Sequence, residues 1–258
     1  MNKLITGAIT TAIVGLFLAL PAYGQTTTQT LQLFGCKLND GKTVEDVWSL
    51  MENFQAAMPR LNNQDEGFAS FLWLPFRGAS PYDYIWGVQN SDLVSMQKGI
   101  ASYYESGVGA EIDQQFGATG DCISGIFNST QIAEGRLGNT ADREIDAVVE
   151  VFGCTINDGS DMDDIHGTVK NWQSQTAAIG SEALDTYEAF LMTTYRGGTG
   201  ESDFIWVGTY PDMATWAQGE SDYHGSKQGQ EAEARFAKVS RCTSGVWGGY
   251  WVVPPTSG

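Results

Sequence analysis

Two histidines, two recurring arginine–aspartate pairs and a set of aromatic residues are the side chains of this sequence best suited to chemistry. His166 and His224 are the only imidazoles. Either can serve as a general base near neutral pH, and either suits a structural or exposed place on a helix equally well. Arg77 with Asp83, and Arg196 with Asp203, flank a loop between two apolar stretches. A guanidinium there can hold a carboxylate or phenolate ligand, or close a cross-strand ion pair. The catalytic candidates are therefore His224, His166, Arg77 and Arg196. Trp73, Trp86, Trp206, Tyr103 and Tyr223 are the ligand-binding candidates; they either line an apolar cavity or fill the core. The acidic turns Asn39-Asp40-Gly41 and Asn157-Asp158-Gly159, the second followed by Asp161, Asp163 and Asp164, miss the calcium-loop spacing and fit turn and helix-cap chemistry. No metal site, nucleophile elbow, phosphate loop or dinucleotide fingerprint is expected.

The elements that must position these residues begin after a leader. Lys3, the apolar run Ile5 to Leu20, Pro21 and the small-x-small stretch Ala22-Tyr23-Gly24 read as a signal peptide over residues 1–24, cleaved near Gly24. The apolar run is too short to anchor comfortably in a membrane. The remainder is expected to be periplasmic or secreted. The formal net charge of −17 repels nucleic acid and anionic membrane surfaces, so neither is an expected partner. Cys36, Cys122, Cys154 and Cys242 form an even set behind a leader, which predicts disulfides in an oxidising compartment.

The sequence repeats itself. Phe34-Gly35-Cys36 returns as Phe152-Gly153-Cys154 at an offset of 118, Arg77-Gly78 as Arg196-Gly197 at 119, and Asp83-Tyr84-Ile85-Trp86 as Asp203-Phe204-Ile205-Trp206 at 120. Gly99, Tyr103, Phe116 and Cys122 all recur at 120. The period is that of a duplicated domain rather than a solenoid unit. A first domain is read over residues 25–130, a polar linker over 131–144 and a second domain over 145–258.

Each half reads β, α, β, β, α, β. Leu31 to Cys36 is a strand. Thr43 caps a helix with Asp46 as its carboxylate partner, and Val44, Val47, Trp48, Met51, Phe54 and Met58 share one helical face. Phe68 to Phe76 and Tyr84 to Val88 are strands. Leu93, Met96, Ile100 and Tyr103 mark a second helix, with a short third helical piece through Ile112 and Phe116. Ile123 to Phe127 is the last strand. Met162, Ile165, Val169 and Trp172 repeat the face of the first helix. In this ferredoxin-like order the last strand lies antiparallel to the first. That placement brings Cys36 to Cys122 and Cys154 to Cys242, at the roughly 4.4–6.8 Å Cα separation a bridge needs. Phe71 to Leu74 and Tyr84 to Trp86 are apolar on both sides, so both sheet faces are covered. Helices cover one face, and the other half of the chain is the nearest cover for the second.

On the duplicated βαββαβ order and the doubly apolar strands, roughly Leu31 to Trp247 resembles the dimeric α/β barrel superfamily. The resemblance implies an α+β fold in which two tandem ferredoxin-like domains pack as a pseudo-dimeric barrel. The superfamily holds cofactorless monooxygenases, haem-degrading enzymes, haem-binding chlorite dismutases and lactone isomerases, so the fold implies little about the reaction. The expected function is an exported protein that binds a small apolar or aromatic molecule, as a cofactorless monooxygenase or isomerase without a resident cofactor. The alternative is a non-enzymatic structural or interaction protein of the cell envelope. A haem-associated role is a third reading: haem-degrading members use an Asn, a Trp and a His, types supplied here in order by Asn157, Trp206 and His224, although with a different spacing.

Overall fold

The computed structural model describes residues 28–61, 67–77, 80–135, 143–197 and 202–255. The segment read as a leader and most of the stretch read as linker lie outside them. The elements run β1 (Thr28–Leu38), α1 (Val44–Ala57), β2 (Ala69–Arg77), β3 (Tyr84–Asn90), α2 (Leu93–Glu105), α3 (Val108–Thr119) and β4 (Gly120–Ala133). They continue β5 (Ala147–Ile156), α4 (Met162–Ala177), β6 (Glu188–Gly197), β7 (Phe204–Tyr210), α5 (Met213–Gly225), α6 (Lys227–Val239) and β8 (Ser240–Val253). The third helical piece is thus a full helix in each half, of 12 residues in α3 and 13 in α6. The last strands are also longer than their apolar residues suggest. β4 reaches Ala133, so Gln131 to Ala133 are strand rather than linker.

The eight strands close into one barrel in the order β1-β3-β2-β8-β5-β7-β6-β4. Within each half the circular order is last, first, third, second, with every neighbour antiparallel. Two seams join the halves, β2 to β8 and β4 to β6. Both seams carry register shifts, as at Ser70/Phe71 and Ile126/Phe127. Such bulges add local bend and twist, which a sheet needs in order to close.

Alternation along the strands sorts the apolar residues into three cores. Leu31, Leu33, Phe71, Trp73, Ile85, Phe127, Val149, Met192, Val207 and Trp247 fill the barrel, with contributions from all eight strands. The opposite strand faces meet helices: Leu72, Tyr84 and Trp86 pack with Val47, Leu50, Met51 and Phe54 in the first half, and Leu191, Phe204 and Trp206 pack with Ile165, Val169 and Trp172 in the second. The strands are apolar on both sides because they are buried on both sides. Val44 is the exception on the α1 face. It sits at the first position of the helix, 40% exposed.

Both disulfides are present, Cys36–Cys122 and Cys154–Cys242, with Cα separations of 4.1 and 4.0 Å. These are slightly shorter than expected because each pair is directly opposed across neighbouring antiparallel strands. Each bridge therefore locks the register of the first strand against the last.

The helix starts are capped as their sequences require. Thr43 N–H donates to Asp46 Oδ2 at 2.9 Å at the head of α1, and Asp161 accepts from the N–H groups of Asp163 and Asp164 at α4. Asp212 accepts from Thr215 N–H at 2.8 Å at α5, and that bond holds its carboxyl below the usual range. Asp212→Ala is expected to cost about 1 kcal/mol in urea denaturation, with Asp212→Asn retaining most of the stability. Equal losses in the two variants would show that the charge, and not the cap, matters.

Candidate functional site

Each half holds a cavity between its helices and the outer face of its sheet. The first measures about 380 Å³ and the second about 490 Å³, both within the usual range of small-molecule sites. Two smaller spaces of about 320 and 160 Å³ lie at the ends of the barrel interior.

The helix–sheet cavities occupy matching places and keep matching aromatic walls. Phe34, Trp86, Tyr103 and Phe116 line the first; their repeat partners Phe152, Trp206, Tyr223 and Phe236 line the second. Trp86 stacks on Phe34 at 5.2 Å between ring centroids, and Trp206 meets Trp172 edge-on at 4.7 Å. The polar residues differ. Where the first cavity has Gln32, Phe68, Asn90, Met96, Ile100 and Tyr104, the second has Glu150, Tyr187, Tyr210, Trp216, Glu220 and His224. The second half thus gathers ionisable groups where the first is mostly neutral.

Glu150 is the centre of that gathering. It stands in the middle of β5 on the helix-facing side, next to Val149 and Val151, and is 6% exposed. Trp216 Nε1 from α5 donates to its Oε1 at 2.8 Å. Burial, reinforced by the negative charge of Glu220, pushes its carboxyl up to about 7, against a partial opposing effect of the Trp216 hydrogen bond. Burial also raises Glu220, although its partner His224 opposes the shift; His224 Nε2 lies 3.3 Å from Glu220 Oε2 at the exposed edge of the cavity. Tyr187 OH accepts from Trp206 Nε1 at 2.9 Å, and burial raises its phenol well above its usual range. Tyr223 OH donates to Glu233 Oε1 at 3.0 Å, as Tyr103 OH does to Asp113 Oδ1 at 2.8 Å in the first half. The result is an aromatic box with one buried carboxyl poised near neutrality and a second carboxyl and an imidazole leading to solvent.

The residues singled out from sequence fall in several places. His224, Trp206 and Tyr223 line the second cavity, and Trp86 and Tyr103 the first. Trp86 and Trp206 do not face the barrel interior; they lie under the helices, with Trp86 Nε1 donating to Ser70 Oγ at 2.7 Å. Of the three tryptophans, Trp73 alone packs inside the barrel. His166 is exposed on α4. Arg77 and Arg196 are exposed at strand ends, and among the described residues neither forms an ion pair with Asp83 or Asp203. Those carboxylates instead accept backbone N–H groups, Asp83 from Leu38 at 2.8 Å and Asp203 from Ile156 at 2.7 Å. They fasten each hairpin to the end of the first strand of its half. Asn157 is also remote from the cavity, its carboxamide donating to the Ala237 carbonyl at 3.2 Å. Among the described residues no group of three His, Cys, Asp or Glu side chains is placed to hold a metal ion, and no helix is long and apolar enough to cross a membrane.

Glu150, Glu220, Tyr187, Tyr210 and Trp216 are not evident as a set in the sequence, because three different elements, β5, β7 and α5, and the segment before β6 supply them. One signal was available: a lone glutamate inside the apolar strand Ala147-Val148-Val149-Glu150-Val151-Phe152, opposite a glutamine in the repeat.

No family model and no curated protein matches this sequence. Solved structures do. One is described as a monooxygenase by assignment, from Fusobacterium nucleatum, with a TM-score of 0.58 at 10% identity, covering 90% of this chain and 96% of that one. Another, likewise described and from Lactobacillus acidophilus, has a TM-score of 0.53 at 9% identity, covering 88% and 98%. These likenesses show that the chain shares the fold of these structures, a closed antiparallel barrel with helices packed on its outer face.

Proposed function

We propose that the second helix–sheet cavity binds a compact aromatic compound carrying a weakly acidic C–H or O–H group, and that Glu150 removes that proton. The observation that carries this reading is the Glu150 carboxyl itself: buried, faced by aromatic walls and raised to about 7. An ordinary carboxylate is a poor base. One matched to neutral pH is ionised in about half of the molecules and has gained basicity, as a general base needs. Trp206, Trp172 and Phe236 offer flat apolar surfaces for a planar substrate.

A substrate with a methylene between two unsaturated groups loses a proton to Glu150 and leaves a stabilised carbanion. Reaction with dioxygen then gives a ketone and water, a cofactorless oxygenation; return of the proton at another carbon gives an isomer. We favour the first outcome, since both similar structures are described as monooxygenases.

The proposal includes export. The two disulfides support an oxidising compartment, periplasmic or extracellular. It also includes duplication: the sequence repeat and the matching strand order of the halves support two ferredoxin-like domains joined through residues 134–144.

The test is oxygen uptake by the oxidised protein with anthrone as probe and no added cofactor. One dioxygen should be consumed per ketone formed, at a rate that rises with pH through about 7. Absence of both binding and uptake at millimolar anthrone would overturn the reading; carbon-bound proton exchange without uptake would redirect it to isomerisation.

A further inference from the structure

The first-half cavity carries a separate observation. Asn90, at the end of β3, is 3% exposed and lines that cavity. Its backbone belongs to the β1–β3 ladder opposite Thr30. Its carboxamide has no hydrogen-bond partner among the described residues, and it faces Gly99 of helix α2, where an added Cβ would lie 3.9 Å from Asn90 Oδ1. Gln32 on β1 lines the same cavity, likewise without a side-chain partner among the described residues. Asn90 is buried and Gln32 half-buried, and both carboxamides line one aromatic chamber where each can pair with a ligand.

We propose that the first cavity is a second, non-catalytic binding site for a flat, neutral aromatic molecule bearing a hydroxyl or carbonyl group, held by Asn90 and Gln32. Each carboxamide offers N–H donors and a carbonyl acceptor, so together they match a neutral group that donates, accepts or does both. A cationic head finds only Asp113 here, and that carboxylate already accepts from Tyr103. An anionic ligand meets no cationic side chain in the lining and a chain of net charge −17. The body of the ligand fits the aromatic walls: Phe34, Trp86 and Phe116 meet with centroids 5.1–5.6 Å apart, and Phe54 and Phe68 extend the apolar lining. The volume of about 380 Å³ suits a fused two-ring or small three-ring compound. Its one carboxylate, Asp113, is engaged by Tyr103, and the site is independent of the Glu150 reading.

The test is calorimetric titration of the intact, oxidised protein at pH 6 with 2-naphthol and with naphthalene. Naphthol should bind the first cavity at least tenfold more tightly than naphthalene, and Asn90→Leu or Gln32→Leu should remove most of that difference. In the absence of ligand, Asn90→Leu should melt at or above the wild-type temperature, since it adds apolar surface to an aromatic chamber and breaks no side-chain hydrogen bond. Gln32→Leu answers the question if Asn90→Leu does not fold. Naphthol affinity unchanged in both leucine variants, or equal affinity for naphthol and naphthalene, would sink the proposal. Failure of the Glu150 reading has a different signature: a single binding event remains, and the leucine substitutions weaken it to the naphthalene level.

Discussion

Glu150→Gln is expected to lower turnover at least 100-fold while leaving the fold intact. A positioned general base contributes about 10²–10⁴ to a rate, and the amide keeps the shape of the side chain and an acceptor for Trp216 Nε1 but cannot take a proton. In the wild type the rate should rise through about pH 7 as the carboxyl ionises; in the variant that limb should vanish. Stability should move the other way. Between about pH 4.5 and 7 the unfolded chain has released the Glu150 proton and the native chain still holds it, so raising the pH in that window favours unfolding. The penalty is complete above 7 and is worth roughly 3 kcal/mol. Glu150→Gln should therefore be more stable than wild type at pH 8 and close to it at pH 4. Glu188, also raised by burial to about 7, retains its own share of the slope in both proteins. Loss of activity together with loss of stability at pH 8 would mark Glu150 as a structural residue.

The largest effect on stability should come from the bridges. The Cys154–Cys242 disulfide spans a sequence separation of 88, and the chain-entropy model gives about 4–5 kcal/mol for closing such a loop, as an upper estimate. Cys154→Ser/Cys242→Ser is expected to approach that loss in guanidinium denaturation, and it should expose the second cavity before the first. The separation in Cys36–Cys122 is 86, so the matching double variant should lose a similar amount from the first half. A loss under about 1 kcal/mol in either would mean that the strand ladder alone fixes the register.

Much of the fold was legible before any coordinates. Exact recurrence of Phe-Gly-Cys and of Ile-Trp at nearly constant spacing marked the halves, and the doubly apolar strands demanded cover on both sides. The pairing of the cysteines followed from the strand order. The lengths of α3 and β4 were harder to read, because their exposed faces are polar: α3 buries only Val108, Gly109, Ile112 and Thr119, and β4 alternates as far as Ala133. The direction in which Trp86 and Trp206 point is fixed by register, and a strand apolar on both faces gives no clue to which face is which. The arginines misled for a related reason. Their recurrence reflects a hairpin that needs Asp83 and Asp203 for backbone N–H groups, while the guanidiniums stay in solvent. The cavity chemistry was least legible, since Glu150, Tyr187, Tyr210 and Glu220 converge only once the sheet has curved and α5 has crossed it.

The two seams have one more consequence. Each unites an edge of one half with the opposite kind of edge of the other: β2 meets β8, the counterpart of β4, and β4 meets β6, the counterpart of β2. The arrangement is that of a twofold rotation, and a pair of identical subunits built this way is obliged to carry two identical chambers. Written as one polypeptide, the rotation no longer relates equal residues. A carboxyl can be introduced at Glu150 without being imposed at Gln32, so that a single molecule carries one chamber walled by a buried carboxyl and one walled by an amide, in fixed one-to-one proportion.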